Sequence, residues 1–243
     1  KGWGSSRRLI DCSSVLVGCI RGGLSMVTIS ASLFFAEISG SAVADVAALG
    51  SILIPAMERR GYSKAFAAAV TSSSATLAVI IPPSIPMILY GVMSGSSIVE
   101  LFVAGIIPGV LGGLGMMVVA YMLARRYDFP REQMFQLERV WSTFKDAAWA
   151  LTLPVIILGG IYGGIFTPTE AAAVSVVYAV LVETVIYREL RLRDLFRVAG
   201  QAAITNSVIF ILLGMGSLVS YFITLGQFPA LVIDFMQTIG ANW

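Results

Sequence analysis

Two polar islands interrupt an otherwise apolar sequence, and between them they hold most of the oxygen atoms that could bind a small charged solute. The first is Ser39-Gly40-Ser41, followed four residues later by Asp45. The second is Thr71-Ser72-Ser73-Ser74 with Thr76, followed by Pro82-Pro83-Ser84-Ile85-Pro86. Hydroxyls, main-chain carbonyls and a carboxylate are the ligand set of a hard cation. At the first island, Ser39, Gly40 and Ser41 supply carbonyls and hydroxyls where a short helix ends. The N–H groups of Ser41, Ala42 and Val43 open the next helix and suit an anion such as a carboxylate. Asp45, one turn in, either ligates Na⁺ or offsets the charge of that helix end. The competing reading is that small residues here let helices pack and that Asp45 is a capping carboxylate. At the second island the hydroxyls are alternative ligands, or each bonds back to the carbonyl four residues earlier. Four consecutive hydroxyl residues cannot all face one side of a helix, so about two of them are expected to point at any one site.

The flanking sequence determines how such islands are held. Gly22–Ala36 and Val46–Met57 are uncharged runs of 15 and 12 residues. A membrane-crossing helix needs about 20 residues, so neither run spans on its own. The expectation is a re-entrant hairpin over 22–57 that enters the membrane, turns at Ser39-Gly40-Ser41 and leaves on the same side. Non-helical backbone at membrane depth persists only where it is buried in protein or lines a cavity, and secondary transporters build sites from such broken helices. In the second island three prolines in five positions remove backbone donors and break a helix expected over 65–93. Unwinding is expected over Thr76–Pro82.

Composition gives the class. Of 243 residues, 57% are hydrophobic and only 12% charged, against about 25% charged in soluble domains; mean hydropathy is +0.87. Long charge-free runs occupy Ala65–Val99, Leu101–Ala124, Ala147–Thr169 and Val198–Ile233. The chain is therefore read as an all-α polytopic membrane protein. Its 16 basic residues fall in four clusters: Lys1 to Arg21, Arg59 to Lys64, Arg125 to Lys145 and Arg188 to Arg197. The positive-inside rule places all four on the cytoplasmic side, so each stretch between them crosses twice or not at all. Spans over 65–93 and 98–124 then join outside near Ser94–Ser97. Two more over 147–187 join at Phe166-Thr-Pro-Thr-Glu170, and 198–225 runs outward. Residues 1–21 are expected to form a cytoplasmic interfacial helix, 128–146 a cytoplasmic surface helix, and 229–243 an interfacial helix on the opposite face. That last element mirrors the first, as the opening of a second, inverted repeat would. With no initiator Met and an odd number of crossings, the chain is expected to be a fragment.

Enzyme chemistry is poorly served. The chain has no histidine, no phosphate-cradling Walker loop, and only a superficial nucleophile-elbow pattern at Gly61-Tyr-Ser-Lys-Ala65, in a charged turn. Cys12 and Cys19 suggest neither a disulfide nor a metal site. Glu37 is either a proton or cation site or a partner for a neighbouring helix or subunit. Glu183 reads as an interfacial structural residue, and Glu170 as a helix cap after Thr167-Pro-Thr169.

The segments Ile38-Ser-Gly-Ser-Ala-Val-Ala-Asp45, Gly50-Ser-Ile-Leu-Ile-Pro-Ala-Met57, Phe66-Ala-Ala-Ala-Val-Thr71, Ile81-Pro-Pro-Ser-Ile-Pro86 with Tyr90-Gly91, Ala104-Gly-Ile-Ile-Pro-Gly109 and Phe166-Thr-Pro-Thr-Glu-Ala-Ala-Ala173 together resemble the large membrane subunit of TRAP (tripartite ATP-independent periplasmic) transporters. The resemblance covers essentially the whole chain. It implies an inverted-repeat, elevator-type fold in the bacterial inner membrane, with 22–57 and 65–93 in the moving transport domain and 147–187 in the scaffold. It also implies Na⁺-driven uptake of a small organic acid, such as a C4-dicarboxylate, sialic acid or a similar carboxylate. The implied partners are a small membrane subunit and a periplasmic substrate-binding protein. By the same resemblance, Ser39, Gly40, Ser41, Asp45, Ser72, Ser73, Ser74 and Thr76 are the Na⁺ candidates. Ser41, Ala42, Val43, Pro83 and Ser84 are the substrate candidates. Glu37 departs from the pattern, which has a small residue there. The rival readings are a divalent-anion/Na⁺ symporter that needs no binding protein, and a non-transporting membrane scaffold.

Overall fold

In the computed structural model, residues 4–129, 137–188, 190 and 192–238 are described. The elements run α1 (Gly4–Val17), α2 (Gly23–Ser39), α3 (Ala42–Arg59), α4 (Lys64–Ala75), α5 (Leu77–Ile80), α6 (Ile85–Ser94), α7 (Ile98–Arg126), α8 (Leu137–Tyr162), α9 (Pro168–Leu181), a π-helical turn (Val182–Ile186), α10 (Leu192–Leu225) and α11 (Phe228–Thr238). Among the described residues there is no strand. Four helical stretches are long and apolar enough to cross a membrane: Lys64–Ser94, Ile98–Arg126, Pro168–Ile186 and Arg193–Leu225. The chain is an all-α polytopic membrane protein.

The described residues fall into two units, divided between residues 189 and 190. In the first, α2 and α3 form an antiparallel hairpin: Val27, Ala31, Leu49 and Leu53 share one buried cluster, and Thr28 meets Met57 at the open end. The tip is Gly40-Ser41. Gly40 has φ +59, a left-handed conformation that glycine adopts without the steric cost a side chain brings, and it closes α2 by donating its N–H to the Ala36 carbonyl at 3.0 Å. Ser41 caps α3, its Oγ accepting from the Ala44 N–H. Gly22 opens α2, also with positive φ, and the space where its Cβ would stand is filled by Ala124 of α7.

α2 is the buried centre. Met26, Ile29 and Ala36 pack with Leu77, Ala78, Ile81 and Ala120. Its buried hydroxyls are satisfied locally or across: Ser25 donates to the Gly22 carbonyl, Thr28 to that of Leu24, and Ser32 bonds Ser74 of α4 at 2.8 Å. α7 lies alongside with Gly105, Gly109 and Gly113 on one buried face. A Cβ at those positions would run into the Ile80 carbonyl, Ile81 and Leu33 respectively, so the glycines set how closely α7 approaches.

The predicted interrupted span is present as α4, α5 and α6. The non-helical backbone is narrower than the expected stretch Thr76–Pro82. Thr76 is a junction, α5 is one helical turn, and the break proper runs through Ile81–Ser84. A second correction concerns 128–146. Residues 137–162 are one continuous helix, so 137–146 are not a separate surface element but the first turns of α8. No Gly or Pro lies between Leu137 and Leu153 to interrupt helix formation, and Ala147 is already buried. Residues 130–136 of that expectation, and 239–243 of the expected last helix, lie outside the described residues.

α1 packs against both α2 and α8. The Arg8 guanidinium sits 3.6 Å from the Tyr187 ring centroid, just past the π-helical turn. Cys12 and Cys19 are free thiols, and burial pushes the Cys12 thiol above its usual range. α8 and α9 share a cluster of Leu153, Ile157, Ile161 and Ala171 with Phe102 of α7. Thr167 and Glu170 close the start of α9 as a reciprocal capping box. In the second unit α10 is a 34-residue helix whose charged residues, Arg193, Asp194 and Arg197, lie in its first two turns, and α11 follows after a tight turn.

Adding one methyl at a tight glycine is a direct test of this packing. Gly105→Ala pushes a Cβ onto the Ile80 carbonyl, whereas at Gly115 the same Cβ meets nothing within 4 Å. In detergent-solubilised full-length protein, Gly105→Ala should lower the melting temperature by an amount equivalent to ~1–3 kcal/mol of overpacking, and Gly115→Ala should leave it within error.

Candidate functional site

Two interrupted helices meet end to end. The tip of the α2–α3 hairpin lies against the break between α5 and α6: the Ile85 N–H donates to the Gly40 carbonyl at 3.1 Å. A Cβ on Gly40 would stand 2.6 Å from the Pro83 carbonyl and 3.3 Å from the Ile85 nitrogen. Only glycine permits that approach. Ser84, fully buried, turns its hydroxyl back to the Val79 carbonyl at 2.6 Å. The C-terminal ends of α2 and α5 and the N-terminal ends of α3 and α6 therefore converge, bringing partial negative and partial positive main-chain charge to one place.

Asp45 is the charged group at this junction. It lies in the first turn of α3 and is fully buried. Its Oδ1 accepts the Ser39 hydroxyl proton, and its N–H donates to the Ser41 carbonyl at 3.0 Å. Ser39 Oγ in turn accepts the Ser41 N–H at 3.3 Å. The Asp45 Oδ2 is buried with no hydrogen-bond partner among the described residues. A buried carboxylate with a free oxygen is costly unless a counter-charge or proton completes it. A cation bound there would be held by Asp45 with hydroxyl and carbonyl oxygens of Ser39, Gly40 and Ser41.

The structure brings together Ser39, Gly40, Ser41, Asp45, Pro83 and Ser84. It does not unite them with every hydroxyl of the second island. Ser74 is buried but bonds Ser32, eight residues before the tip, and Ser72, Ser73 and Thr76 are exposed. None of these four is hydrogen-bonded to the tip. Thr76 donates instead to the Ser73 carbonyl at 2.6 Å, and Ser73 lines a separate apolar groove between α4 and α7. The reason is helical rotation: Ala67, Thr71, Ser74 and Ala75 form the buried face of α4, and that turns Ser72 and Ser73 away. Ala42 is half-buried, but Val43 is 80% exposed and turns away from the break. Sequence reasoning missed Ser32 and the Ile85 N–H. The alternating small and hydroxyl residues Ser25, Thr28, Ser30 and Ser32 were a legible sign that α2 is buried, though not of the partner each would find.

Beyond the tip lies a cavity of about 200 Å³, walled by Ile38, Ser39, Gly40 and Pro83 on one side and by Ile157, Ile161, Pro168, Ala172 and Ser175 of α8 and α9 on the other. Among the described residues no group of three or more His, Cys, Asp or Glu could hold a metal; the carboxylate hydrogen-bonded at the tip is that of Asp45. A polytopic helical protein in which a hairpin tip meets a broken span belongs to the architectural class in which secondary transporters place their sites.

Comparison with known proteins makes the family definite. A family model described as "Tripartite ATP-independent periplasmic transporter, DctM component" matches residues 2–243, and the chain belongs to this family of inner-membrane proteins. It is 43% identical over 236 residues to the 2,3-diketo-L-gulonate TRAP transporter large permease protein of Escherichia coli, covering 97% of this chain and 56% of that protein. It is 40% identical over 239 residues to the C4-dicarboxylate TRAP transporter large permease protein of Pseudomonas aeruginosa, covering 98% and 56%. It is 42% identical over 240 residues to the ectoine TRAP transporter large permease protein of Halomonas elongata, covering 98% and 55%. The chain thus spans about half the length of the curated relatives it matches.

The contact between tip and break depends on the absence of one side chain. Gly40→Ala should raise amide hydrogen exchange in peptides covering 36–46 and 79–88 by about tenfold or more, the equivalent of ~1.4 kcal/mol of local stability. Exchange in α7 should stay unchanged.

Proposed function

We propose that this chain forms part of the permeation unit of a Na⁺-coupled carrier for a small organic acid, with the hairpin tip as an ion site. One observation supports the reading above all: the buried Asp45 carboxylate, one oxygen held by Ser39 and the other without a partner. Intramembrane acids are expensive and mark ion or proton pathways. A Na⁺ ion at the tip neutralises that charge and is favoured by the carbonyl end of α2. Substrate enters the same junction as an anion. The N–H groups opening α3 at Ala42 and Val43, with the Pro83–Ser84 backbone, supply the donors and the wall, while the Ser41 N–H is held by Ser39 Oγ. Val43 contributes through its backbone, its side chain being exposed.

Ion and substrate are then coupled by mutual neutralisation. Each lowers the cost of placing the other in a site of low dielectric. With no nucleotide-binding loop in the sequence, the ion gradient is the energy source. The substrates named for the three relatives above (diketogulonate, C4-dicarboxylate, ectoine) carry carboxylate groups, and that of a fourth, isethionate, carries a sulfonate, which supports a small organic acid. The tripartite family assignment supports a small membrane subunit and a periplasmic binding protein as partners. Membership in that family also favours a carrier supplied by a binding protein over a stand-alone divalent-anion symporter.

The test uses the full-length protein with its partners in proteoliposomes. The double substitution Ser41→Ala with Asp45→Ala should reduce Na⁺-dependent uptake by about tenfold or more, equivalent to ~1.4 kcal/mol or more of lost ion affinity. Insertion should persist, and the melting temperature should fall by no more than the loss of the Ser41 cap, ~1 kcal/mol. Retained Na⁺-coupled uptake in the double variant refutes the site. Orientation is checked separately: a cysteine introduced by Arg60→Cys should label only from the cytoplasmic side, as a re-entrant hairpin requires.

A further inference from the structure

Away from the tip, a second cavity of about 470 Å³ opens on the side of the bundle between α4 and α7, floored by Ile29 of α2. Its walls are almost wholly apolar, carried by Phe66 and Val70 on α4 and by Met116, Val119 and Leu123 on α7. A methylene is about as large as a water molecule, whose share of liquid volume is roughly 30 Å³, so the groove holds on the order of fifteen of them. The wall includes Gly115, where an added Cβ would meet nothing within 4 Å. This gap is therefore real space rather than a place where neighbouring side chains interlock.

One end of the groove is aromatic and basic. Phe66 stacks toward Phe129 at 5.1 Å between centroids, and Phe129 toward Tyr127 at 5.8 Å. Arg126 lies three residues beyond Leu123 and seven beyond Val119, so it extends the lining face of α7 to the rim. It is exposed and has no carboxylate partner among the described residues. The nearby acid, Asp128, is already paired with Arg21 at 3.0 Å, and the neighbouring Arg125 is also exposed. An apolar trough of acyl-chain size, capped by an aromatic cluster and an unpaired arginine at the membrane boundary, has the chemistry of a phospholipid with an anionic headgroup.

We propose that the α2–α4–α7 groove is a binding site for one acyl chain of an anionic phospholipid, with its headgroup on Arg126. Within a bilayer the acyl chain gains little from leaving other lipid, so selectivity comes from the arginine and retention from the fit of the trough. The site wedges α4 against α7 beside the Ser32–Ser74 contact, and its lining shares no residue with the hairpin tip.

The experiment is native mass spectrometry of the full-length protein in mild detergent, supplied with phosphatidylglycerol or with phosphatidylcholine of the same chain length. Wild type should retain phosphatidylglycerol preferentially. Arg126→Gln should reduce that retention about fivefold, the effect of about one juxtamembrane basic residue, and leave phosphatidylcholine unchanged. Gly115→Leu, whose Cβ meets nothing within 4 Å, should fill the groove and reduce retention of both lipids; Val119→Trp provides a second filling variant should Gly115→Leu fail to fold. Equal retention of the two lipids by wild type overturns the proposal. So does unchanged retention in a folded filling variant, or a cross-link from a Ser73→Cys variant showing that another polypeptide segment occupies the groove.

Discussion

The hydrogen bond from the Ile85 N–H to the Gly40 carbonyl answers the hardest demand a membrane makes on this chain. Backbone that leaves the helix inside a bilayer must find partners for its polar groups or pay several kcal/mol for each. Here two such departures are placed against each other, and each supplies part of what the other lacks. The Gly40 N–H returns to Ala36, its carbonyl goes to Ile85, and the Ser84 hydroxyl closes on Val79. Much of the remaining structure serves that meeting. Gly40 must be glycine for the backbones to touch, the prolines must halt the span at the right depth, and α7 must come close behind them through its row of glycines.

The same economy explains the polar interior of α2. A helix buried this completely would ordinarily be uniformly apolar, yet it carries Ser25, Thr28, Ser30 and Ser32. Small hydroxyl residues keep the helix slim, and Ser25 and Thr28 bond back to carbonyls one turn earlier, which compensates their burial. Ser32 goes further and joins α2 to α4. Asp45 is the exception to this self-sufficiency. Its second oxygen is the one buried carboxylate atom among the described residues without a hydrogen-bond partner.

Much of this was legible in the sequence because it follows from length and punctuation. Runs of 15 and 12 apolar residues around Ser39-Gly40-Ser41 could only turn back, and Pro82, Pro83 and Pro86 could only break a span. The charge-free runs and the arginine clusters likewise marked where helices begin and end. Facing direction was not legible. Ser72, Ser73 and Thr76 are as polar as Ser74, and only the packing of Ala67, Thr71 and Ala75 decides which of them turns inward. Charge pattern also misled at 137–146, where mixed residues suggested a helix lying on the surface. Without a glycine or proline to stop it, the helix continues into α8. The Ile85 N–H, a backbone group, leaves no trace in residue type at all.

The small cavity beyond the tip sits in a boundary of unusual composition. On the hairpin side are Ile38 and Pro83, and on the other side Ile157, Ile161, Pro168 and Ala172, with only the hydroxyls of Ser39 and Ser175 among them. Surfaces like these adhere through dispersion, which is non-directional and has no preferred register to break. Sliding one across the other exchanges one set of weak contacts for a similar set and strands no donor or acceptor. A seam of this kind offers little resistance to lateral displacement, which the proposed carrier function would require of the hairpin tip.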